Sequence, residues 1–543
     1  MLFLRVRQIH FSAWLLIGLS ALLQILVFPL PDFYFLSWFA FAPLIVALLR
    51  ARPAGALEVN GSTNLQAATA GQAFLLAYVC GVLWYAGMCY WIYDTMRAYG
   101  GLSAAAALLA LLLFCLYLGL YHGFFGLLLG LAVGPGRDHR RALISVPFFW
   151  VAAELARTRI TGFPWDLLGT AQVDNISLSR ISAWTGVYGL SFEIMLVNVA
   201  LAAAFLVHRK KRGTLLGAAL AAAAVLQAGR LVDAPAVAAN RVALLVQQNI
   251  PVDENWSRET FEHTLQQLTD LSVKANGIGF SAEDSKSGKK PDLIVWPESP
   301  APFFTSDPLF RNPVSEMAKD ANTWVVTGAI GNNPRKNGAA SEVYNSAALI
   351  SPTGEWTARY DKVHLVPFGE YLPFPKLFAF AGGLTKEVGQ FKAGESRAPL
   401  RAGDESLGVF ICYESVFPDE VRQFAKNGAQ VFVNISNDGW YGDSGAYAQH
   451  LNQTRMRAIE NDRWLLSATD TGVTASIDPY GRVVVRLPRK VRDALAAPFA
   501  LNSGTTFYTR HGDWFAFLCA IISAGALLTR FVPLHKDTRK ESA

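Results

Sequence analysis

Three side chains in this 543-residue sequence are of the types needed for acyl chemistry on a thiol: Cys412, Glu298 and Lys362. Cys412, in Ile411-Cys412-Tyr413-Glu414-Ser415, follows the apolar run from Leu407 to Ile411 and precedes a helix-start signal, Pro418-Asp419-Glu420. A strand-to-helix junction of this kind holds a nucleophile rigidly and exposes its sulfur. Glu298 follows a second apolar run in Trp296-Pro297-Glu298-Ser299, and Lys362 follows a third in Asp361-Lys362-Val363-His364. A thiol of pKa about 8.5 is a weak nucleophile until it loses its proton. A buried carboxylate can take that proton. A lysine ammonium can stabilise the thiolate and then the oxyanion of a tetrahedral intermediate, with the backbone N–H of Tyr413 as a second donor. Each residue also has a plainer reading: Cys412 as a small hydrophobic filler, Glu298 as a helix-start carboxylate, Lys362 as a surface lysine. His364, two residues after Lys362 on an extended segment, faces the same side and offers a Cys–His dyad as a second mechanism.

The elements that position these groups read as a soluble α/β unit. Strands are expected at 241–250, 293–296, 323–330, 342–350, 355–360, the run ending at Cys412, 430–435, 464–470, 473–478 and 482–487. Helices are expected at about 257–275, 307–320, 418–427 and 445–461. Apolar strands alternating with helices imply a sheet covered by helices. The Ser-, Gly- and Lys-rich stretch 276–291 reads as a surface insertion. The Phe-, Gly- and Pro-rich stretch 372–395 reads as a loop.

The rest of the chain is too apolar to be soluble. Of all residues 52% are hydrophobic and 17% charged, and the apolar runs concentrate before residue 231 and after residue 513. A spanning helix needs about 20 mostly apolar residues. Eight segments qualify as candidates: 11–30, 33–49, 72–94, 102–134, 142–157, 186–208, 214–231 and 513–532. The basic clusters set the parity. They are Arg5 and Arg7; Arg50 and Arg52; Arg137, Arg140 and Arg141; Arg209 to Arg212; and Arg530 with Lys536, Arg539 and Lys540. All fall on one side, the cytoplasmic one, if 102–134 is a single span. The expected division is therefore a bundle of seven transmembrane helices over 1–231, an extracytoplasmic catalytic domain over 232–512, and an eighth helix with a basic tail over 513–543. Both termini are then cytoplasmic. Cys80, Cys89, Cys115 and Cys519 all lie in apolar spans, so Cys412 is the only thiol of the exported domain. An unpaired cysteine in such a domain is a candidate reactive group.

On the outer loop 158–185, Phe163-Pro164-Trp165 and Trp184 read as aromatics of the membrane interface. Glu154 and Glu193, within or near spans, read either as polar pairing between helices or as part of a lipid head-group site. The net charge of +6 is mild and lacks a basic stripe interleaved with aromatics, so no nucleic-acid partner is expected. The histidines are dispersed and no Cys/His cluster has ligand spacing, so no metal is expected.

Taken together, Trp296-Pro297-Glu298-Ser299, the stretch from Asp361 to Tyr371 and Ile411-Cys412-Tyr413-Glu414 resemble the three motifs of the nitrilase superfamily. Tyr344-Asn345-Ser346-Ala347 resembles that family's strand before the lysine. The whole architecture, with several spans before the domain and one after it, resembles the apolipoprotein N-acyltransferase family. The resemblance implies an αββα sandwich and a Glu–Lys–Cys triad: Glu298 the general base, Lys362 the electrostatic stabiliser, Cys412 the nucleophile. Glu370 matches an acid that supports the lysine, Glu414 an acid near the site, and Trp256 an aromatic near the acyl pocket. No cofactor is implied. The implied reaction moves an acyl chain from a membrane phospholipid, typically phosphatidylethanolamine, through a thioester on Cys412. The acceptor is the N-terminal α-amine of a diacylglyceryl-cysteine apolipoprotein, and the implied location is the bacterial inner membrane with the domain in the periplasm. The loop 372–395, with Phe374, Leu377, Phe378, Phe380 and Leu384, is expected to act as a lid at the bilayer surface. The segment Asn434 to Trp440 is expected to form a turn at the pocket rim. Arg455, Arg457 and Glu460 are expected to be structural or solvated. The alternative is a membrane-anchored nitrilase-type amidase with the same triad and water as acceptor. A non-catalytic lipoprotein-binding scaffold is a third reading, and the intact triad argues against it.

Overall fold

The computed structural model describes residues 8–53, 65–133, 139–206, 209–273, 290–298, 302–333, 341–373 and 391–528. Most of the insertion 276–291 and of the loop 372–395 lies outside the described residues. So do Ser299 and the basic clusters Arg5–Arg7 and Arg530–Lys540, together with Arg137.

Two six-stranded sheets form the soluble part. We number its strands β1 Arg241–Gln247, β2 Leu293–Val295, β3 Trp324–Asn333, β4 Glu342–Ile350, β5 Trp356–Asp361, β6 Leu400–Ala402, β7 Glu405–Ile411, β8 Val431–Ser436, β9 Leu465–Thr469, β10 Ala475–Ile477, β11 Val483–Arg486 and β12 Asp493–Phe499. The first sheet runs β12-β1-β2-β3-β4-β5 and the second β11-β10-β9-β8-β7-β6. The central pairs β1–β2–β3 and β7–β8–β9 are parallel; the flanking pairs are antiparallel. The inner faces share one core that includes Leu245, Val295 and Val326 from one sheet and Val409, Val433 and Leu466 from the other. Helices Arg258–Val273 and Pro308–Ala321 cover the first sheet through Leu265, Leu268, Phe310 and Val314. Pro418–Lys426 and Ala446–Asn461 flank the second. This is the expected αββα order. Strand β6, only Leu400–Ala402, was not foreseen, and neither was β12. Its sequence, Asp-Ala-Leu-Ala-Ala-Pro-Phe, is poor in β-branched residues, and its place is an edge strand, where proline is tolerated.

The membrane part is helical at each of the eight expected segments. Four of these helices are long and apolar enough to cross a bilayer: Ala70–Met88, Ala104–Val133, Val187–Leu206 and Lys211–Leu231. Phe11–Val27, Tyr34–Leu49 and Trp514–Leu528 are shorter apolar helices. The long run 102–134 is one helix of 30 residues, about 45 Å at the α-helical rise. Its Gly119, Gly123, Gly126 and Gly130 lie against Ala70–Met88, where a Cβ on Gly126 would collide with the Ala73 carbonyl. Small residues at this spacing let two helix backbones approach. Glu154 is buried and accepts from Leu168 N (2.7 Å), a tie within the bundle.

The bundle and the soluble part are packed into one another. Helix Ala446–Asn461 is buried along most of its length. Gln449 Nε2 donates to the Pro29 carbonyl (2.9 Å), Asp166 N to Gln453 Oε1 (3.2 Å) and Val187 N to Glu460 Oε1 (2.9 Å). Arg457 pairs with Glu460 at 3.0 Å, both buried, and Arg455 pairs with Asp174. These charges take the structural side of the expected alternatives, not the solvated one. Trp165 corrects the interfacial reading: it is 1% exposed and donates from Nε1 to Gln449 Oε1 (2.7 Å). Trp184, at 63% exposed, matches that reading. Arg159 and Arg180 also lie at this junction, paired with Asp419, Asp513 and Asp462, whereas Arg50 and Arg141 lie at the other end of the bundle. Arg50 reaches the Phe205 carbonyl (3.2 Å) and Arg141 the Ala526 carbonyl (3.0 Å).

Candidate active site

Strand polarity brings the catalytic candidates of the first sheet to one edge. Strand β2 is parallel to β3, and two antiparallel steps make β5 parallel to both, so their carboxyl ends coincide. Glu298 leaves β2 there, with its chain held by Trp296 N to the Val326 carbonyl (2.8 Å) and Gly328 N to the Pro297 carbonyl (3.2 Å). Lys362 leaves β5 there, fixed by its N–H to the Asn345 carbonyl (2.8 Å). Cys412 leaves β7 of the facing sheet and opens the short turn Cys412–Val416. Its φ of +50° is left-handed, a conformation that costs a non-glycine residue on the order of 1 kcal/mol or more. The elbow aims the thiol into the cleft between the sheets.

Asn345, in β4, organises the carboxylates. Its Nδ2 donates to Glu298 Oε1 (2.7 Å) and to Glu370 Oε1 (2.6 Å). Lys362 Nζ donates to the same two oxygens, at 3.3 Å and 3.0 Å. The remaining oxygens are taken by backbone: Asn437 N donates to Glu298 Oε2 (2.9 Å) and Val366 N to Glu370 Oε2 (2.7 Å). Lys362 is 1% exposed, so one ammonium faces two carboxylates away from water. Burial works against that ammonium, but the charges of Glu298 and then Glu370 outweigh it and hold its pKa above the ordinary lysine range. Burial, followed by the charge of Glu298, drives the Cys412 thiol well above its ordinary pKa; Lys362 opposes this without cancelling it. Burial thus favours the protonated thiol, and the two carboxylates favour the ionised lysine.

The other expected site residues separate into groups. Glu370 pairs with Lys362, as described above. Glu414 joins the lysine segment to the nucleophile strand. Its Oε1 accepts from Tyr360 OH (2.7 Å), Val363 N (2.8 Å) and His364 N (3.0 Å), and its Oε2 from Ile411 N (2.8 Å). Glu414→Gln puts an amide N–H against one of these donors and is expected to cost on the order of 2 kcal/mol, read as a lower thermal midpoint. Tyr413 donates from its hydroxyl to the Gly162 carbonyl (3.0 Å) and sits among Phe163, Trp165 and Phe417. Trp256 is half-buried against the outer-layer core of the first sheet and is not gathered with the three central residues. His364 departs from the dyad reading. Its Nδ1 pairs with Glu420 Oε1 (3.0 Å) and its ring lies 3.7 Å from that of Phe417. The chain leaves the strand after Asp361, so alternation no longer places residues 362 and 364 on one side.

Two participants were not identified from sequence as site residues. Asn345 was quoted within a motif but given no role; an asparagine inside a strand, where it is disfavoured, was the available signal. Of the segment Asn434 to Trp440, expected as a turn, Asn434 to Ser436 instead complete β8 and only the part from Asn437 on turns; Asn437 N also reaches Glu298 directly.

Two family models match the chain: carbon–nitrogen hydrolase over residues 241–506, and the N-terminal domain of apolipoprotein N-acyltransferase over residues 20–200. An apolipoprotein N-acyltransferase of Geobacter metallireducens is 34% identical over 548 residues, covering 98% of this chain and 99% of that one. One of Methylococcus capsulatus is 34% identical over 490 residues, covering 89% and 92%.

Proposed function

The chain belongs to the apolipoprotein N-acyltransferase family, and on that premise we propose that Glu298, Lys362 and Cys412 carry a two-step acyl transfer. In the first step Glu298 takes the thiol proton as Cys412 Sγ attacks the acyl ester carbonyl of a phospholipid. Lys362 Nζ and the N–H of Tyr413 receive the oxyanion. The intermediate collapses with cleavage of the ester C–O bond. The departing lysophospholipid oxygen takes the proton from Glu298, and the acyl chain remains as a thioester on Cys412. In the second step the α-amine of a diacylglyceryl-cysteine N-terminus attacks that thioester. Its proton passes through Glu298 to the leaving sulfur, and the product is an amide. Glu370 and Asn345 keep Lys362 and Glu298 in register throughout. The observation that carries this reading is the buried Glu298–Lys362–Glu370 cluster, joined by Asn345, at the mouth of the strained Cys412 turn.

The donor we propose is phosphatidylethanolamine or a similar phospholipid, and the acceptor a diacylglyceryl apolipoprotein. Both are held in a bilayer, which gives a physical reason for an intimate junction between the bundle and the nucleophile turn. A hydrolytic amidase needs no such junction. Trp256 is retained as a candidate wall of the acyl pocket. For the topology we propose eight crossings, cytoplasmic termini and a periplasmic domain over 232–512. This is supported by Pro29, helix Trp91–Ala98 and Trp165 all touching the soluble part while Arg50 and Arg141 lie at the opposite end. A reporter active only in the cytoplasm, fused after Ala543, is expected to be active; one inserted in an exposed loop of 232–512 is expected to be silent.

The test of the reaction is intact-mass measurement of the purified protein with phospholipid and no acceptor. An added acyl mass is expected, and it is expected to disappear on addition of a diacylglyceryl-cysteine peptide as the peptide gains the chain. Free fatty acid released with no peptide acylation would support the amidase-type alternative instead.

A further inference from the structure

Behind the nucleophile turn lies a buried histidine to which the reaction above assigns no part. His450, on helix Ala446–Asn461, is 2% exposed. Its Nε2 lies 3.1 Å from the Cys412 carbonyl oxygen and 2.8 Å from Ser415 Oγ. Its Nδ1 lies 3.2 Å from Asp438 Oδ1, which also accepts from Ser436 Oγ (2.7 Å). On one side the ring of Trp165, from the membrane bundle, lies parallel to the imidazole (6.1 Å between centroids, 5° between planes).

Donor counting favours one state of this ring. A peptide carbonyl only accepts, and an ionised carboxylate only accepts. A ring with hydrogen on both nitrogens meets the Cys412 carbonyl and Asp438 at once, with the Ser415 hydroxyl turning its lone pair toward Nε2. We propose that His450 is a buried imidazolium that holds the left-handed Cys412 turn by donating from Nε2 to the Cys412 carbonyl, and is thus a positioning residue for the nucleophile. The idea rests on the acyl-transfer reading of Cys412. The groups that face the ring are Asp438 and Tyr441 from the turn Asp438–Tyr441, Cys412 and Ser415 from the nucleophile turn, and Trp165; Glu298 acts through space. Burial pulls the imidazole pKa down, but Asp438 and the Cys412 carbonyl outweigh it and leave it above the ordinary value. The charged form holds the turn below that raised value, and the hold loosens as pH rises through it. Without it, Cys412 is free to relax out of its strained φ and carry the sulfur away from Glu298.

The variants to compare are His450→Phe and His450→Gln, the latter keeping one donor. Thioester formation in His450→Phe is expected to slow about 100-fold, the scale of a sub-ångström-to-ångström misplacement. KM for phospholipid should stay within about twofold. Alkylation of Cys412 by iodoacetamide should slow in parallel. His450→Gln should recover part of both rates and lose the alkaline decline in kcat expected of the wild type. In ¹⁵N-histidine spectra of the full-length protein, the resonances absent from His450→Gln should show both ring nitrogens protonated at pH 7. A neutral ring at pH 7, or a wild-type rate of adduct formation in His450→Phe, overturns the proposal. If His450→Phe does not fold, the spectra and His450→Gln decide it. Failure of the wild type itself to form an adduct would instead refute the acyl-transfer reading.

Discussion

Cys412→Ala is expected to form no acyl adduct with phospholipid and to lose acyl transfer by roughly 10⁴-fold or more, the scale seen when a catalytic nucleophile is removed. Four cysteines remain in the variant, Cys80, Cys89, Cys115 and Cys519, all buried and all in the helical membrane part. Intact mass therefore separates attachment at Cys412 from attachment elsewhere without further mutation. Cys412→Ser should fare little better. A serine hydroxyl is far less acidic than a thiol, and burial with the charge of Glu298 already makes deprotonation hard at this position. Neither variant should be unstable. Alanine removes a small side chain, and the strained φ persists because the Cys412 carbonyl is held independently. A variant that retained the adduct would require a different nucleophile, and the roles of Glu298 and Lys362 would fall with it.

Lys362→Met is the second large effect, and it is expected in stability as well as in rate. The lysine is enclosed with two carboxylates that also share Asn345 as donor. Removing the only cation from that cluster leaves two negative charges without compensation. Breaking a buried ion pair in this way costs about 3–5 kcal/mol, and losing an oxyanion donor costs about 10²–10³ in rate. The two consequences separate by design. Like charges raise a carboxyl pKa, so lowering the pH should protonate one acid of Lys362→Met and raise its thermal midpoint relative to neutral pH. Adding Glu370→Gln should likewise restore stability, because it removes the excess charge. Neither manipulation should restore acyl transfer, because neither returns a cation to the developing oxyanion. Lys362→Arg should not rescue either, since a planar guanidinium does not match the compact ammonium between these oxygens. Recovery of full activity in the Lys362→Met, Glu370→Gln double variant would show that Lys362 is only a counter-ion.

Much of this architecture is legible without coordinates, for local reasons. Apolar runs of strand length end at Glu298, Lys362 and Cys412, and strand ends are where a sandwich exposes chemistry. The alternation of apolar strand runs with more polar stretches, together with the helix-start signal Pro418-Asp419-Glu420, places the covering helices to within a few residues. The run 102–134 reads as one helix because the basic clusters on either side require it, and the chain forms it as one. Of the two strands missed in the second half of the domain, β6 is only Leu400–Ala402, and β12 has a local cause too. Its composition does not favour a strand, and it exists because β1 offers an unpaired edge.

By itself, then, the sequence determined the two-part organisation, the order of strands and helices, and the three residues able to do acyl chemistry on a thiol. Each of these depends on residue type and short-range period. Tertiary structure alone decided which partners those residues meet. It turned His364 toward Glu420 rather than Cys412, buried Trp165 beside His450, placed Asn345 between two carboxylates, and set Glu414 to bind the lysine segment to the nucleophile strand. These are contacts between segments distant in the chain. Their energies come from burial and from the pairing of polar groups removed from water, neither of which the spacing of residues along one segment contains.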